Sequence, residues 1–268
     1  MEEKEIEESA RRILTDLYKG GLIETLYNTK HEYHQNKGWT LKSGAWSPWY
    51  FNLRPVGNLP RLVFDIAFVM NHMIRDKAPG VNQLLGIEMA GVPLVAAIGT
   101  VRGPGTEFIR YSYTRPLEEK ARTPEQAERM LARMKGFEYG GKELVEGRFE
   151  DGENICIVDD MVTNFGSKLI AKMILEHELE RREVKNCKIE HVAVVLDREA
   201  GAEENAKEYG MQLHSLIKFK TKGLDWLKDI MITEEYQLLT QYQADPKRFN
   251  GKKERTEAIE TAIKYRER

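Results

Sequence analysis

The sequence predicts an α/β protein with a central parallel sheet flanked by helices. The chain has 268 residues, of which 41% are hydrophobic, so it is long and apolar enough to bury a substantial core. Strand-like runs alternate with helical stretches, which is typical of parallel strands joined by crossover helices. The runs lie at residues 83–87, 107–111, 155–158 and 191–196, and the helical stretches at about 91–100, 167–180 and 202–209.

The other predicted elements follow from periodicity and turn residues. They are an amphipathic helix over 5–18, short strands within the aromatic-rich 38–52, a helix at about 60–75, a helix over 123–135 and helices after about 222. The helix over 123–135 rests on the capping-box pair Thr123 and Gln126 around Pro124. The charged residues 252–268 are expected to form a solvated or frayed helix.

Composition narrows the functional class. Lysine plus arginine number 41 against 43 aspartate plus glutamate, so the net charge of −2 gives no global field for nucleic acid. No run approaches the ~18 apolar residues of a membrane span, so we expect a cytoplasmic protein. Two cysteines suit free thiols in a reducing compartment. The six histidines lack metal-ligand spacing, so we expect no metal site built by the protein alone.

The segment 154–167 carries the clearest chemistry. An apolar strand precedes Asp159 and Asp160, and a polar turn then leads into a helix. In a parallel sheet this turn lies at a strand's carboxyl end and a helix N-terminus, where amides and the helix dipole favour a phosphate. The two carboxylates suit ribose hydroxyls or a hard metal ion. The alternative is an ordinary strand-to-helix turn.

This segment resembles the phosphoribosyl-diphosphate motif of type I phosphoribosyltransferases. The resemblance implies that Asp159 and Asp160 bind the ribose hydroxyls. It assigns the 5-phosphate to the backbone amides of Thr163, Asn164, Phe165, Gly166 and Ser167. Asn164 and Phe165 stand where the family usually has threonine and glycine, and phenylalanine adopts positive φ less easily than glycine.

Three further segments resemble orotate phosphoribosyltransferases, in the family's order. Residues 40–52 are similar to the family's N-terminal segment, which implies that Lys42 reaches the substrates and Phe51 borders the pyrimidine. Residues 86–94 match the loop that contacts the diphosphate. Residues 194–215 imply that Arg198 holds orotate, a role that suits its planar fork. Taken singly, these segments are also typical of core strands and solvated charges.

The chain departs from the family after Phe108-Ile-Arg110, where Arg110 is assigned to substrate binding. Tyr111 and Thr114 replace the two lysines of the family's catalytic loop, and no His-Gly pair follows. The catalytic cation is therefore expected from a displaced position: Arg115, Lys120 or Arg122. The loop insertion, at about 111–142, exceeds ordinary loop lengths. Ala90 also replaces a lysine common in bacterial relatives.

The resemblance implies the type I phosphoribosyltransferase fold, with a small N-terminal hood (1–59), a core (60–221) and a helical C-terminal extension (222–268). It implies Mg²⁺-dependent transfer of a phosphoribosyl group from phosphoribosyl diphosphate to orotate by a homodimer. Mg²⁺ is expected to bind through the substrate. At most, the protein supplies Asp159 and Asp160 as ligands. Two alternatives remain open: a non-catalytic nucleotide-binding regulator on the same fold, favoured by the missing lysines, and a transferase for another base.

Overall fold

The computed structural model describes residues 1–41, 44–117, 121, 123–134 and 143–267. Their Cα positions form two compact units. The core unit contains residues 1–7 and 63–216, and the second unit contains residues 8–62 and 217–268. Within the described residues, no helix is both long enough and apolar enough to span a bilayer.

The secondary structure alternates along the chain. The helices of the described residues are α1 Glu3–Lys19, α2 Glu32–Lys37, α3 Pro60–Lys77, α4 Gly91–Thr100, α5 Pro124–Met134, α6 Gly166–Arg181, α7 Ala202–Glu208, α8 Leu224–Leu227, α9 Thr233–Ala244 and α10 Lys252–Arg266. The strands are β1 Ile23–Thr25, β2 Trp39–Thr40, β3 Trp46–Ser47, β4 Trp49–Phe51, β5 Gln83–Gly86, β6 Arg110–Thr114, β7 Val145–Glu146, β8 Asn154–Val162, β9 Lys188–Asp197 and β10 Gln212–Lys218.

The core unit is built around a six-stranded sheet with strand order β10-β9-β8-β5-β6-β7. Strands β9, β8, β5 and β6 run parallel, and β7 runs antiparallel to its neighbour β6. Gly86 pairs with Tyr113 on one side and with Val158 on the other. The carboxyl ends of these strands therefore meet at one edge, and the predicted α/β class is confirmed.

Strand β8 lies at the centre of the sheet because its side chains are apolar on both faces. Ile155, Ile157 and Val158 are fully buried, as expected for a parallel strand covered by helices. Helix α6 packs Leu175 and other apolar side chains into the same cluster as Ile155 and Ile157. This packing fixes the position of the turn between β8 and α6.

The second unit contains residues from the N-terminal and the C-terminal parts of the chain. It contains two antiparallel strand pairs, β1 with β4 and β2 with β3. The Tyr242 hydroxyl donates to the Trp46 carbonyl at 3.0 Å, and Phe249 stacks on Trp46 with ring centroids 5.9 Å apart. The C-terminal helices thus belong to the same unit as residues of the predicted hood. Ala258 and Ala262 of α10 are buried, so this helix is not merely solvated.

One strand lies further along the chain than its sequence suggests. The apolar pair Phe108 and Ile109 predicts a strand at 107–111, whereas β6 begins at Arg110. The Ile109 amide donates to the Gly99 carbonyl at 3.0 Å, which places it in the connection from α4. Phe108 remains 61% exposed. The carboxyl end of β6 is therefore at Thr114, next to Arg115.

Candidate active site

The turn between β8 and α6 presents a helix N-terminus at the carboxyl edge of the sheet. Helix α6 starts at Gly166, and Asn164 accepts a hydrogen bond from the Gly166 amide through Oδ1 at 3.4 Å. The Asn205 side chain donates to the Asn164 carbonyl at 2.8 Å, which ties α7 to this turn. Thr163, Asn164, Phe165, Gly166 and Ser167 all lie in or next to the turn, as the sequence predicts. The N-terminus of a 16-residue helix favours an anion there.

Phe165 takes the conformation that glycine would favour. Its φ is 73°, in the left-handed region, and its side chain is only 1% exposed. The ring belongs to the apolar cluster that also contains Val162 and Leu169. Burial of a phenylalanine stabilises by about 1.5–3 kcal/mol, which offsets a left-handed cost of about 1–2 kcal/mol. The backbone path of the turn is thus held by core packing.

Asp159 and Asp160 lie side by side at the end of β8. Asp159 is 8% exposed, and Asp160 is the more exposed of the two. The Asp160 amide donates to Asp159 Oδ1 at 2.9 Å. Burial, together with the neighbouring negative charge of Asp159, raises the pKa of Asp160 to about 7. Asp160 therefore keeps its proton to a higher pH than an exposed aspartate does.

Lys168 completes this carboxylate pair, and sequence reasoning missed it. Its side chain is 2% exposed, and Nζ donates to Asp159 Oδ2 at 2.7 Å, in a buried ion pair. A signal was present in the sequence. Lys168, Ala171 and Leu175 follow the i, i+3, i+7 spacing of one helix face, so the lysine lies on an otherwise apolar stripe. A buried lysine requires an acidic or carbonyl partner.

The connection from β5 to α4 approaches the same edge. The Ile87 amide donates to the Val158 carbonyl at 3.0 Å, and the Glu88 amide donates to Thr114 Oγ1 at 3.1 Å. The peptide bond between Glu88 and Met89 is cis. A Cβ on Gly91 would lie 2.7 Å from the Val158 carbonyl oxygen, so only glycine allows this close approach. The predicted diphosphate loop thus contacts the ends of β8 and β6.

The structure places Arg110 and Arg115 at opposite ends of β6. Arg110 begins the strand, at the edge opposite the β8–α6 turn, and its guanidinium contacts Glu150 at 2.8 Å and Glu153 at 2.5 Å. Its place in the register puts Arg110 at the amino end of the sheet, and its role in substrate binding stays a prediction. Arg115 instead follows the carboxyl end and pairs with Glu146 at 3.1 Å. Lys120 and Arg122 lie outside the described residues.

The base of the insertion is anchored to α6. The fully buried Glu178 accepts hydrogen bonds from Arg181 and Arg182, and from the Leu144 amide at 3.4 Å. Burial raises the pKa of Glu178, but the bonds from the two arginines outweigh it and leave that pKa below its ordinary value. Arg182 also donates to the Val145 carbonyl. These contacts fix the position of β7, which contains Glu146, the partner of Arg115.

The predicted orotate residue lies on the next strand. Arg198 follows directly after β9, is 7% exposed, and its backbone amide donates to the Val162 carbonyl at 3.1 Å. It is therefore adjacent to the end of β8. Phe51 lies in β4 of the second unit, where it pairs with Ile23 and is 2% exposed. Lys42 lies outside the described residues.

The residues present fit a divalent cation only in part. Among the residues that the structure describes, no group of three or more His, Cys, Asp or Glu side chains forms a metal cluster. Both oxygens of Asp159 already accept hydrogen bonds, from Lys168 and from the Asp160 amide. Mg²⁺ usually takes one or two carboxylates and completes its shell with substrate phosphates and water. Asp160, the less buried of the two carboxylates, is the one that suits that arrangement.

Comparisons with known proteins agree on one family. The chain is 29% identical over 205 residues to orotate phosphoribosyltransferase of Sulfolobus acidocaldarius, covering 75% of this chain and 86% of that protein. It is 24% identical over 186 residues to the same enzyme of Methanococcus maripaludis, covering 69% and 84%. The crystal structure of orotate phosphoribosyltransferase from Francisella tularensis superposes with a TM-score of 0.57 at 17% identity, covering 87% of this chain and 98% of that one. No protein-family model matches the chain.

Proposed function

We propose, from the membership of this chain in the orotate phosphoribosyltransferase family of type I phosphoribosyltransferases, that it transfers the phosphoribosyl group of phosphoribosyl diphosphate to orotate. The products are orotidine 5-phosphate and diphosphate. The observation that carries the proposal is the meeting of a carboxylate pair, a helix N-terminus and Arg198 at one edge of the sheet. That set matches a substrate made of a ribose, a phosphate and an anionic base.

The β8–α6 turn is the proposed binding site for the 5-phosphate. The α6 N-terminus supplies amides and the positive end of the helix dipole, and Ser167 supplies an exposed hydroxyl. Asp159 and Asp160 precede this turn by only a few residues, so a ribose whose phosphate lies at α6 presents its hydroxyls to the carboxylates. Binding both ends of the sugar phosphate orients its anomeric carbon for attack.

Negative charge at Asp160 assists the transfer itself. The bond between the anomeric carbon and the diphosphate breaks as positive charge develops on the ribose, and an ionised carboxylate stabilises that charge. Because the pKa of Asp160 is raised to about 7, contact with a bound cation or with the developing charge favours ionisation. When bound, Mg²⁺ neutralises the diphosphate, and Asp160 is its proposed protein ligand.

Two arginines have separate proposed roles. Arg198, at the end of β9, faces the carboxylate and carbonyl groups of orotate with a planar guanidinium, which suits paired hydrogen bonds. Arg115, at the end of β6, is the proposed cation for the leaving diphosphate. Lys42 and Phe51 are retained as proposed contacts for the substrates and the pyrimidine. Following the family, we also propose that the protein is a cytoplasmic homodimer.

The test is a spectrophotometric assay of orotate loss with phosphoribosyl diphosphate and Mg²⁺, run on the wild type and on a matched pair of variants. Arg115→Ala is expected to lower kcat/KM by about 10²-fold, as for loss of one transition-state donor. Arg110→Ala, on the same strand at the opposite edge, is expected to leave kcat/KM within about threefold. Equal effects of both variants would contradict the assignment of Arg115.

A non-catalytic nucleotide-binding regulator is the second candidate, and the replacement of the loop lysines by Tyr111 and Thr114 favours it. The same assay, combined with calorimetry, separates the two functions. Calorimetric binding of phosphoribosyl diphosphate without turnover of orotate supports the regulator. Turnover of uracil but not of orotate supports a transferase for another base, and turnover of orotate that survives Arg198→Ala removes the role given to Arg198.

A further inference from the structure

Lys168 is a buried ionisable side chain that the proposed reaction does not use. It is 2% exposed, although it lies within the first turn of α6, next to the proposed phosphate site. A buried lysine that served a ligand would need at least one hydrogen directed at that ligand. The contacts of Nζ decide between a ligand contact and a positioning role.

All three hydrogens of the Lys168 ammonium have protein acceptors. Nζ lies 2.7 Å from Asp159 Oδ2, 2.5 Å from the Met161 carbonyl oxygen and 3.2 Å from Ser167 Oγ. An ammonium group has three donors, so this set uses its capacity. Lys168 therefore does not contact a substrate. It links three parts of the site: the first carboxylate, the last residues of β8 and the start of α6.

We infer that Lys168 is a positioning residue that fixes the distance between the ribose-binding carboxylates and the phosphate-binding turn. A ribose 5-phosphate has a fixed spacing between its hydroxyls and its phosphate, so the two ends of the site must be held in register to bind both at once. Preorganised groups bind more tightly because less order is lost on binding. This inference rests on the proposed function, since it takes the phosphoribosyl group as the ligand.

Two buried side chains, Phe165 and Lys168, act together in this inference. Phe165 fixes the backbone of the turn by burial, and Lys168 fixes the carboxylate beside it. Lys168 contacts Asp159 and the start of α6, which are the proposed binding groups for the phosphoribosyl substrate. The effect of Lys168 is therefore expected on the phosphoribosyl substrate and not on the base.

The test compares Lys168→Met with Lys172→Met, one turn later on the same helix, where the side chain is 25% exposed and pairs with Glu176 at 3.8 Å. Lys168→Met is expected to raise the Kd for ribose 5-phosphate and the KM for phosphoribosyl diphosphate at least about tenfold, with the KM for orotate changed less than about twofold. Lys172→Met is expected to leave all three values at the wild-type level. A Lys168→Met protein with an unchanged Kd for ribose 5-phosphate, or with equal losses for both substrates, would overturn the inference.

A second variant covers the case in which Lys168→Met does not fold. The double variant Asp159→Asn with Lys168→Met removes both charges of the buried pair, so it is expected to fold, and it is compared with Asp159→Asn alone because Asp159 itself is a proposed ribose contact. The double variant is expected to have a higher Kd for ribose 5-phosphate than Asp159→Asn. Equal Kd values for these two variants would also overturn the inference. A wild type that binds ribose 5-phosphate but turns over no base sinks the proposed function alone.

Discussion

Replacing Phe165 by glycine and by alanine tests whether packing, not backbone preference, holds the β8–α6 turn. In the interior of a helix or a strand, alanine is tolerated better than glycine because glycine loses more backbone entropy on folding. At Phe165 the order is expected to be reversed. The residue has φ 73° and its ring is buried in the apolar cluster.

The magnitudes follow from three contributions. Both variants lose the buried ring, which costs about 3–5 kcal/mol for a phenylalanine in a core. Alanine keeps the cost of the left-handed conformation, about 1–2 kcal/mol, whereas glycine does not. Glycine adds a backbone entropy cost of about 0.5–1 kcal/mol. Phe165→Gly should therefore be more stable than Phe165→Ala by about 0.5–1 kcal/mol, although both are less stable than the wild type.

The assay is urea unfolding followed by circular dichroism, with Leu175→Ala and Leu175→Gly as the matched pair. Leu175 is also fully buried in this cluster but lies in the middle of α6. There alanine should be the more stable by about 1 kcal/mol. If Phe165→Ala is as stable as Phe165→Gly or more so, the turn does not hold Phe165 in a conformation that costs free energy, and the reasoning is refuted.

Two further predictions concern the same edge. The folded pKa of Asp160, about 7, lies above its ordinary value of 3.8, so the native state holds the proton more tightly and stability falls as pH rises between these values. Asp160→Asn should therefore have a higher free energy of unfolding than the wild type above pH 7, and the difference should disappear near pH 4 in thermal or urea titrations; a constant difference would contradict this. Gly91→Ala should lose about 1–3 kcal/mol and weaken calorimetric binding of phosphoribosyl diphosphate, because its Cβ would lie 2.7 Å from the Val158 carbonyl oxygen. Gly57→Ala, with nothing within 4 Å of the added Cβ, should be nearly neutral, and equal behaviour of the two would argue against the close approach.

The part of the site that the sequence predicts well is the part made by contiguous residues. Ile155, Asp159 and Asp160 occupy one strand, and the turn at 163–167 follows directly, so their grouping needs only the assignment of β8 and α6. The apolar run is unambiguous because β8 is buried on both faces. Placement of Arg198 beside them follows from the parallel pairing of β8 with β9.

What the sequence could not supply depends on register and on long-range packing. Phe108 and Ile109 have the residue types of a strand but lie in a connection, which displaced the expected strand by about three residues. Residue types do not fix register where an apolar pair precedes the strand. The contact of Tyr242 with Trp46 joins residues 196 positions apart, and no local pattern indicates it.

Ion pairs of different strength stabilise the ribose-phosphate end and the diphosphate end of the proposed site. Lys168 and Asp159 form a buried pair, whose disruption by removal of one partner costs about 3–5 kcal/mol. Arg115 pairs with Glu146 where the side chains are 41% and 37% exposed, and such surface pairs contribute about 0–1 kcal/mol. A diphosphate with several negative charges outcompetes one carboxylate for a guanidinium at that cost. The pairing of Arg115 with Glu146 is therefore compatible with the proposed role of Arg115, because the arginine can exchange Glu146 for the leaving group while the ribose-phosphate end stays fixed.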